Sequence, residues 1–371
     1  MKEVLIINSK FDSNLDRYWF MSFCNNEEID RIISPKNACD FLLQERANII
    51  ADNMRYLRVY MNKARLLPNW SFEKSFSNNH YLEVIKNLTL DDKQNCKSIV
   101  YGDMFSNDVN GYAIKNPKWG RIICLNESLQ FFMKFCNLAL FDFNYHIPKK
   151  IRINALRIAI RIMLKQEAMD FFMDPRGIVP KEVEIKMHTP IKYELQYIAG
   201  HEFAHHLCGH FDDSNICEKM VFSVKETEYF RPVYNVAQKK EFEADVSSIN
   251  RPQYSKDEYS NILKGALIWF ISLELSEVAQ ESISPTSSFS IKTHPSAHER
   301  LEYLLKNAKI PKDFDMKEIH KIQDNAKWLK EVLIDDISLN YDHYDIYGSA
   351  YLDEPNTEWR GKRLIDRVDY Y

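Results

Sequence analysis

Apolar residues recur along most of this chain at intervals of three and four, the pattern of helices that bury one stripe. Ser34-Pro35 opens the longest early stretch, in which Phe41, Leu42, Ile49, Leu57, Met61 and Ala64 keep helical spacing as far as Leu67-Pro68. The same spacing predicts helices over 81–88, 129–143, 150–173, 189–209, 261–281 and 313–334. Short apolar runs or alternation predict strands at 4–7, at two places within 98–116, at 120–125 and at 183–187, with Asn110-Gly111 as a tight turn. The whole reads as a mainly α (α+β) protein with a small β-sheet. Its expected divisions are an accessory helical region at 1–115, a central domain at 116–310, and a C-terminal helix with an acidic, aromatic tail at 311–371. Trp19, Phe20 and Trp70 are expected in the core, and Arg152, Arg157 and Arg161 are expected to form a solvent-facing basic stripe.

Composition narrows the partners. With 371 residues and 45% hydrophobic content the chain can bury a sizeable core. Lys+Arg 49 against Asp+Glu 53 leaves no basic excess, which argues against nucleic acid and against an anionic membrane surface. Seven cysteines, odd in number and without CxxC spacing, read as reduced thiols. Met1-Lys2-Glu3 leads into only a short apolar run, so no signal peptide is expected, and the most apolar stretch, 265–275, is too short to cross a bilayer. These features together predict a cytoplasmic protein.

Candidate chemistry centres on His201-Glu202-Phe203-Ala204-His205. Positions four apart share a helix face, so the imidazoles of His201 and His205 can reach one metal ion, with Glu202 beside the open position as general base. Thr189 is expected to cap this helix and Gly209 to end it. A third ligand is needed. His210 and His206 are weaker choices, since the spacing HExxHxxGxxH is missed by one, and both read as supporting or surface histidines. Asp212 and Asp213 read as surface. Glu241 is preferred: in Glu241-Phe242-Glu243-Ala244-Asp245 the i, i+4 carboxylates share a face, so Glu241 could bind the metal while Asp245 orients a ligand histidine. Further on, Thr293-His294-Pro295 precedes a helix. There His294 could steady an oxyanion and Arg300 could pair with Asp245 or Glu241, while His298 is expected exposed. An edge strand beside the metal, either 183–187 or 122–125, could pair with an extended peptide.

In their order HEFAH, EFEAD and THPSAHERL resemble the Lit-type phage-exclusion peptidases, and more broadly the gluzincins of the CAAX-prenyl-protease and HtpX type. The resemblance runs over about 120–305. It implies a helical zincin-like core, Zn2+ held by His201, His205 and Glu241, and Glu202 as general base. For Lit-type members it implies cleavage of the translation elongation factor Tu when a phage-derived activator is sensed. Two other classes stay open on the residues alone: a non-catalytic metal-binding sensor of a defence or toxin–antitoxin system, and a hydrolase of a non-peptide bond.

Overall fold

Asparagine caps set the helices of the first of two units, Met1–Ser77. Here α1 (Ser13–Phe20) is followed by α2 (Asn26–Ile33), α3 (Ala38–Ala51) and α4 (Met54–Leu66). Asn25, Asn37 and Asn53 each turn a side-chain oxygen onto amides of the next helix's first turn. The Asn53 cap divides in two the single helix expected over 34–67. The unit closes on an aromatic cluster in which Phe72 meets Phe23, Tyr60 and Phe76 at ring separations of 5.0, 5.6 and 5.2 Å. Phe20 is buried and Trp70 donates to the Phe23 carbonyl, whereas Trp19 is exposed, unlike the core position expected for it. The computed structural model describes residues 13–143, 147–211, 231–284, 295–345 and 366–370. The strand expected at 4–7 lies outside them.

The second unit, Asn78–Tyr371, holds the sheet. After α5 (Asn79–Asn87) and α6 (Leu90–Cys96) come β1 (Ile99–Tyr101), β2 (Gly111–Asn116) and β3 (Gly120–Leu125). The order is β1-β3-β2, with β1 parallel and β2 antiparallel to β3. The two strands read within 98–116 therefore do not form a hairpin with each other. The hairpin turn lies instead between β2 and β3, at Gly120, whose φ is +79°. The units meet between Ser77 and Asn78, so β1 and β2 belong with the domain read from sequence as starting at 116. The protein is mainly α-helical with this one small sheet among the described residues.

Helices α7 (Ser128–Leu140), α8 (Lys149–Met163), α9 (Lys181–His188), α10 (Ile191–Leu207), α11 (Arg231–Asn250), α12 (Lys256–Ile283), α13 (Ala297–Asn307), α14 (Met316–Leu339) and α15 (Tyr341–Asp345) complete the unit. The segment 183–187 is helical in α9, not a strand. Val183 and Met187, four apart, are buried while Ile185 is exposed, and acids in the first turn with Lys186 and His188 in the last complement the helix dipole. α9 runs almost directly into α10, so the Thr189 hydroxyl donates back to the Ile185 carbonyl and does not cap α10. No described helix is long and apolar enough to cross a membrane. Cys24, Cys39, Cys96, Cys124, Cys136 and Cys208 form no disulfide.

α10 lies at the centre, against α5, α11, α12 and the sheet, and nearly every residue in it is buried. It approaches α12 so closely that a Cβ on Gly265 would stand 2.8 Å from the Glu194 backbone nitrogen. Glu194 itself is fully buried with no hydrogen bond to either carboxyl oxygen, and the neighbouring Asn137 Oδ1 is equally unpartnered. Burial raises its pKa to about 8, with Asn137 opposing in part. In this setting the neutral, protonated carboxyl is the favoured form. Unfolding frees this carboxyl to ionise at its ordinary value near 4.5. Stability from this group is thus complete below that value and is lost as pH rises towards 8. The expected slope across the window is about 1.4 kcal/mol per pH unit for one proton. Urea titrations from pH 5 to pH 8 should show the wild type losing stability faster than Glu194→Gln, and parallel slopes would refute the assignment.

The arginines of α8 face inward, against the expectation of a solvent-facing stripe. Arg152 donates to the Ala139 carbonyl and lies over Trp328, and Arg157 pairs with Asp336 of α14. Arg161 is buried against Glu167 and Asp366. Arg176, also buried, binds Glu167, Asp170 and Asp174, and Arg367 reaches Asp174 at 2.8 Å. Residues 366–370 are tied on by backbone bonds, Val368 N–H to Arg176 O and Tyr370 N–H to Ile178 O. Gly177 sits under them at φ +130°, where a Cβ would meet Val368 at 2.7 Å. This part of the tail is an ordered piece of the unit, and 346–365 lies outside the described residues.

Candidate metal centre

The helical spacing of His201 and His205 brings their Nε2 atoms to 3.0 Å from each other. Glu241, on α11, faces both: Oε2 is 3.5 Å from His201 Nε2, and Oε1 is 3.6 Å from His205 Nε2. All three side chains are buried. Both Glu241 oxygens lack a hydrogen bond; a buried charge is costly unless cations face it, and Arg300 Nη2 stands off from Oε2 at 3.5 Å. Zinc bonds of about 2.0–2.1 Å at tetrahedral angles set ligand atoms about 3.3 Å apart. The observed separations lie close to that spacing, so the three residues fit a metal ion.

Supporting bonds aim the first imidazole. Asp245 Oδ1 is 2.9 Å from His201 Nδ1, which makes Nδ1 the donor and leaves the Nε2 lone pair for a metal. Asp245 also accepts from Tyr197 Oη at 2.8 Å and from both ends of the Arg300 fork at 2.8 and 2.7 Å. Burial raises the Asp245 pKa, but the Arg300 guanidinium outweighs it and holds the carboxyl below its ordinary range. Arg300 Nη2 lies 3.5 Å from Glu241 Oε2 as well, so it serves both carboxylates named for it.

Glu202 lies beside the sheet, within electrostatic reach of His201, Glu241 and Arg300. It is buried, and a Cβ at position 111 would stand 2.7 Å from its Oε1. Gly111 is therefore needed for space beside this carboxylate and not for a tight turn. Burial raises the Glu202 pKa to about 7, while His201, Arg300 and the Ala113 amide pull it back. The sheet explains that amide. Asn126 N–H donates to Asn110 O, so by the alternation of an antiparallel ladder Gly111 and Ala113 turn their backbone groups away from β3. β2 is an edge strand, and its outer rim passes Glu202. Neither segment expected to be that edge fills the place: 122–125 lies in central β3, and 183–187 is helical.

Past α10, Gly209 ends the helix at φ +71°, and the His210 amide bonds back to the His205 carbonyl. This places His210 Nδ1 at 2.9 Å from His205 Nδ1. His206 is buried against Phe211. His298 is exposed beside Glu274 and Glu302. His294, Asp212 and Asp213 lie outside the described residues. Tyr197 and Ala113 were not among the residues singled out from sequence, and Gly111 was read there only as a turn residue. Only Tyr197 had a local signal, one helical turn before His201 on the same face.

No family model, curated protein or solved structure matches the chain. What the centre can do rests on its own geometry: two imidazoles and a carboxylate able to share a cation, with a second carboxylate of near-neutral pKa beside the edge strand β2.

Proposed function

We propose that this chain is a zinc-dependent endopeptidase acting on a protein substrate. The observation that carries the proposal is Glu241, a buried carboxylate without a hydrogen bond, set against two imidazoles whose ring nitrogens face each other. His201, His205 and Glu241 would hold the metal, and Asp245 with Arg300 would fix His201. When bound, zinc would supply acidification of a water and polarisation of a carbonyl. Glu202 accepts the proton of the attacking water and passes it to the leaving amine, a role suited to a carboxyl with a pKa close to the working pH. The β2 rim supports a peptide bond as the target, because backbone groups at an edge bind an extended chain whatever its side chains.

The likeness of HEFAH, EFEAD and THPSAHERL to the Lit-type motifs supports a role in abortive infection, with elongation factor Tu as target and a phage-derived activator. The test is to express the protein with and without phage and search the proteome for one new protein terminus. Purified wild type should carry one zinc per chain, and Glu241→Ala should bind zinc more than about a hundredfold more weakly. Full zinc content in Glu241→Ala would reassign the third ligand. No new terminus under phage challenge would end the peptidase reading.

A further inference from the structure

We infer that His210 is a positioning residue for the metal centre, holding His205 as Asp245 holds His201; the inference rests on the proposed metal site. His205 can give its Nε2 lone pair to a metal only if its proton sits on Nδ1. That proton needs an acceptor, since a buried donor without one is costly. The atom 2.9 Å away is His210 Nδ1. His210 must then be neutral with its proton on Nε2, and that nitrogen faces Glu243 Oε2 at 3.3 Å. The chain of roles is His205 Nδ1–H to His210 Nδ1, then His210 Nε2–H to Glu243.

Three features hold His210 in place. The left-handed Gly209 turns the chain back, the His210 amide bonds to the His205 carbonyl at 3.0 Å, and Lys240 Nζ donates to the His210 carbonyl at 2.7 Å. Lys240 directly precedes Glu241, so α11 carries one metal-facing side chain and the clamp on the opposite support.

Cys208, His210 and Glu243 also lie close enough to be read as a second metal site. The hydrogen-bond roles argue against it. Once His210 accepts from His205, its remaining nitrogen bears a proton and has no lone pair for a cation. Arg251 Nη1, 4.0 Å from Cys208 Sγ, opposes a cation there as well.

The test is zinc affinity, measured by competition with a chelator on the full chain. His210→Ala should bind zinc about 10–100-fold more weakly than wild type. His210→Asn puts a carbonyl oxygen where Nδ1 stood, as an acceptor for His205 Nδ1–H, and should recover most of the loss, whereas His210→Leu, of the same shape as Asn but with no acceptor, should not. Thermal melts of each variant separate this from misfolding, and a packing role would not discriminate the isosteric Asn and Leu in zinc affinity. Equal affinity in His210→Ala and wild type overturns the inference, and so does His210→Asn no better than His210→Leu. A wild-type chain that binds no zinc overturns the metal-site reading instead.

Discussion

Glu202→Gln is expected to keep one zinc per chain and to lose cleavage by about a thousandfold, within the range a general base contributes. The amide has the same shape and can still accept from the Ala113 amide, so the fit against Gly111 should survive. What disappears is basicity. Glu202 takes no part in the His201–His205–Glu241 cluster, which is why metal content should not follow activity. The variant is to be compared with wild type by metal analysis and by single-turnover cleavage of the target found in the proteomic search. Cleavage within tenfold of wild type would remove Glu202 from its role. The pH dependence has a definite sign as well. Burial lifts the carboxyl to about 7, and a divalent cation nearby lowers it again. Wild-type cleavage should therefore rise with pH along an acid limb centred at or below 7.

Arg176→Met is expected to destabilise the second unit by about 3–5 kcal/mol, the cost of removing one partner from a buried ion cluster. Glu167, Asp170 and Asp174 would lose their shared cation inside the protein. Removing residues 366–371 should act in the same direction, because Arg161 loses Asp366 and Asp174 loses Arg367. Urea unfolding monitored by far-ultraviolet circular dichroism reads both. A shortened chain of unchanged stability and raised activity would instead make the tail an inhibitor. The backbone bonds from Val368 to Arg176 and from Tyr370 to Ile178 tie both changes to the same place.

The metal cluster was legible because its decisive spacings lie within single helices. His201 and His205 are four apart on α10, as are Glu241 and Asp245 on α11, and one rule of helix geometry places each pair. Only the meeting of the two helices had to be supplied. The misreadings share a different origin. Alternation at 183–187 fits a strand, yet Val183 and Met187 also fit one helix face, and tertiary packing decided between them. The arginines of α8 look solvated until Glu167, Asp336 and Asp366 arrive from distant segments. The edge beside Glu202 passed to β2 because strand order is a long-range property, and β3 enters between two strands that precede it in the chain. Gly111 illustrates the same limit: its neighbour Glu202 is far along the chain, and no local rule links them.

The ion cluster behind α8 also sets a schedule for synthesis. Arg161 and Asp174 are made early, but the groups that match them, Asp366 and Arg367, come about two hundred residues later in the chain. Until those two residues join, Arg161 has Glu167 and Asp174 has Arg176, and the cluster is only partly matched. Folding around α8 is therefore completed from the far end of the described chain, and a chain cut short of 366–370 should leave this region open to protease.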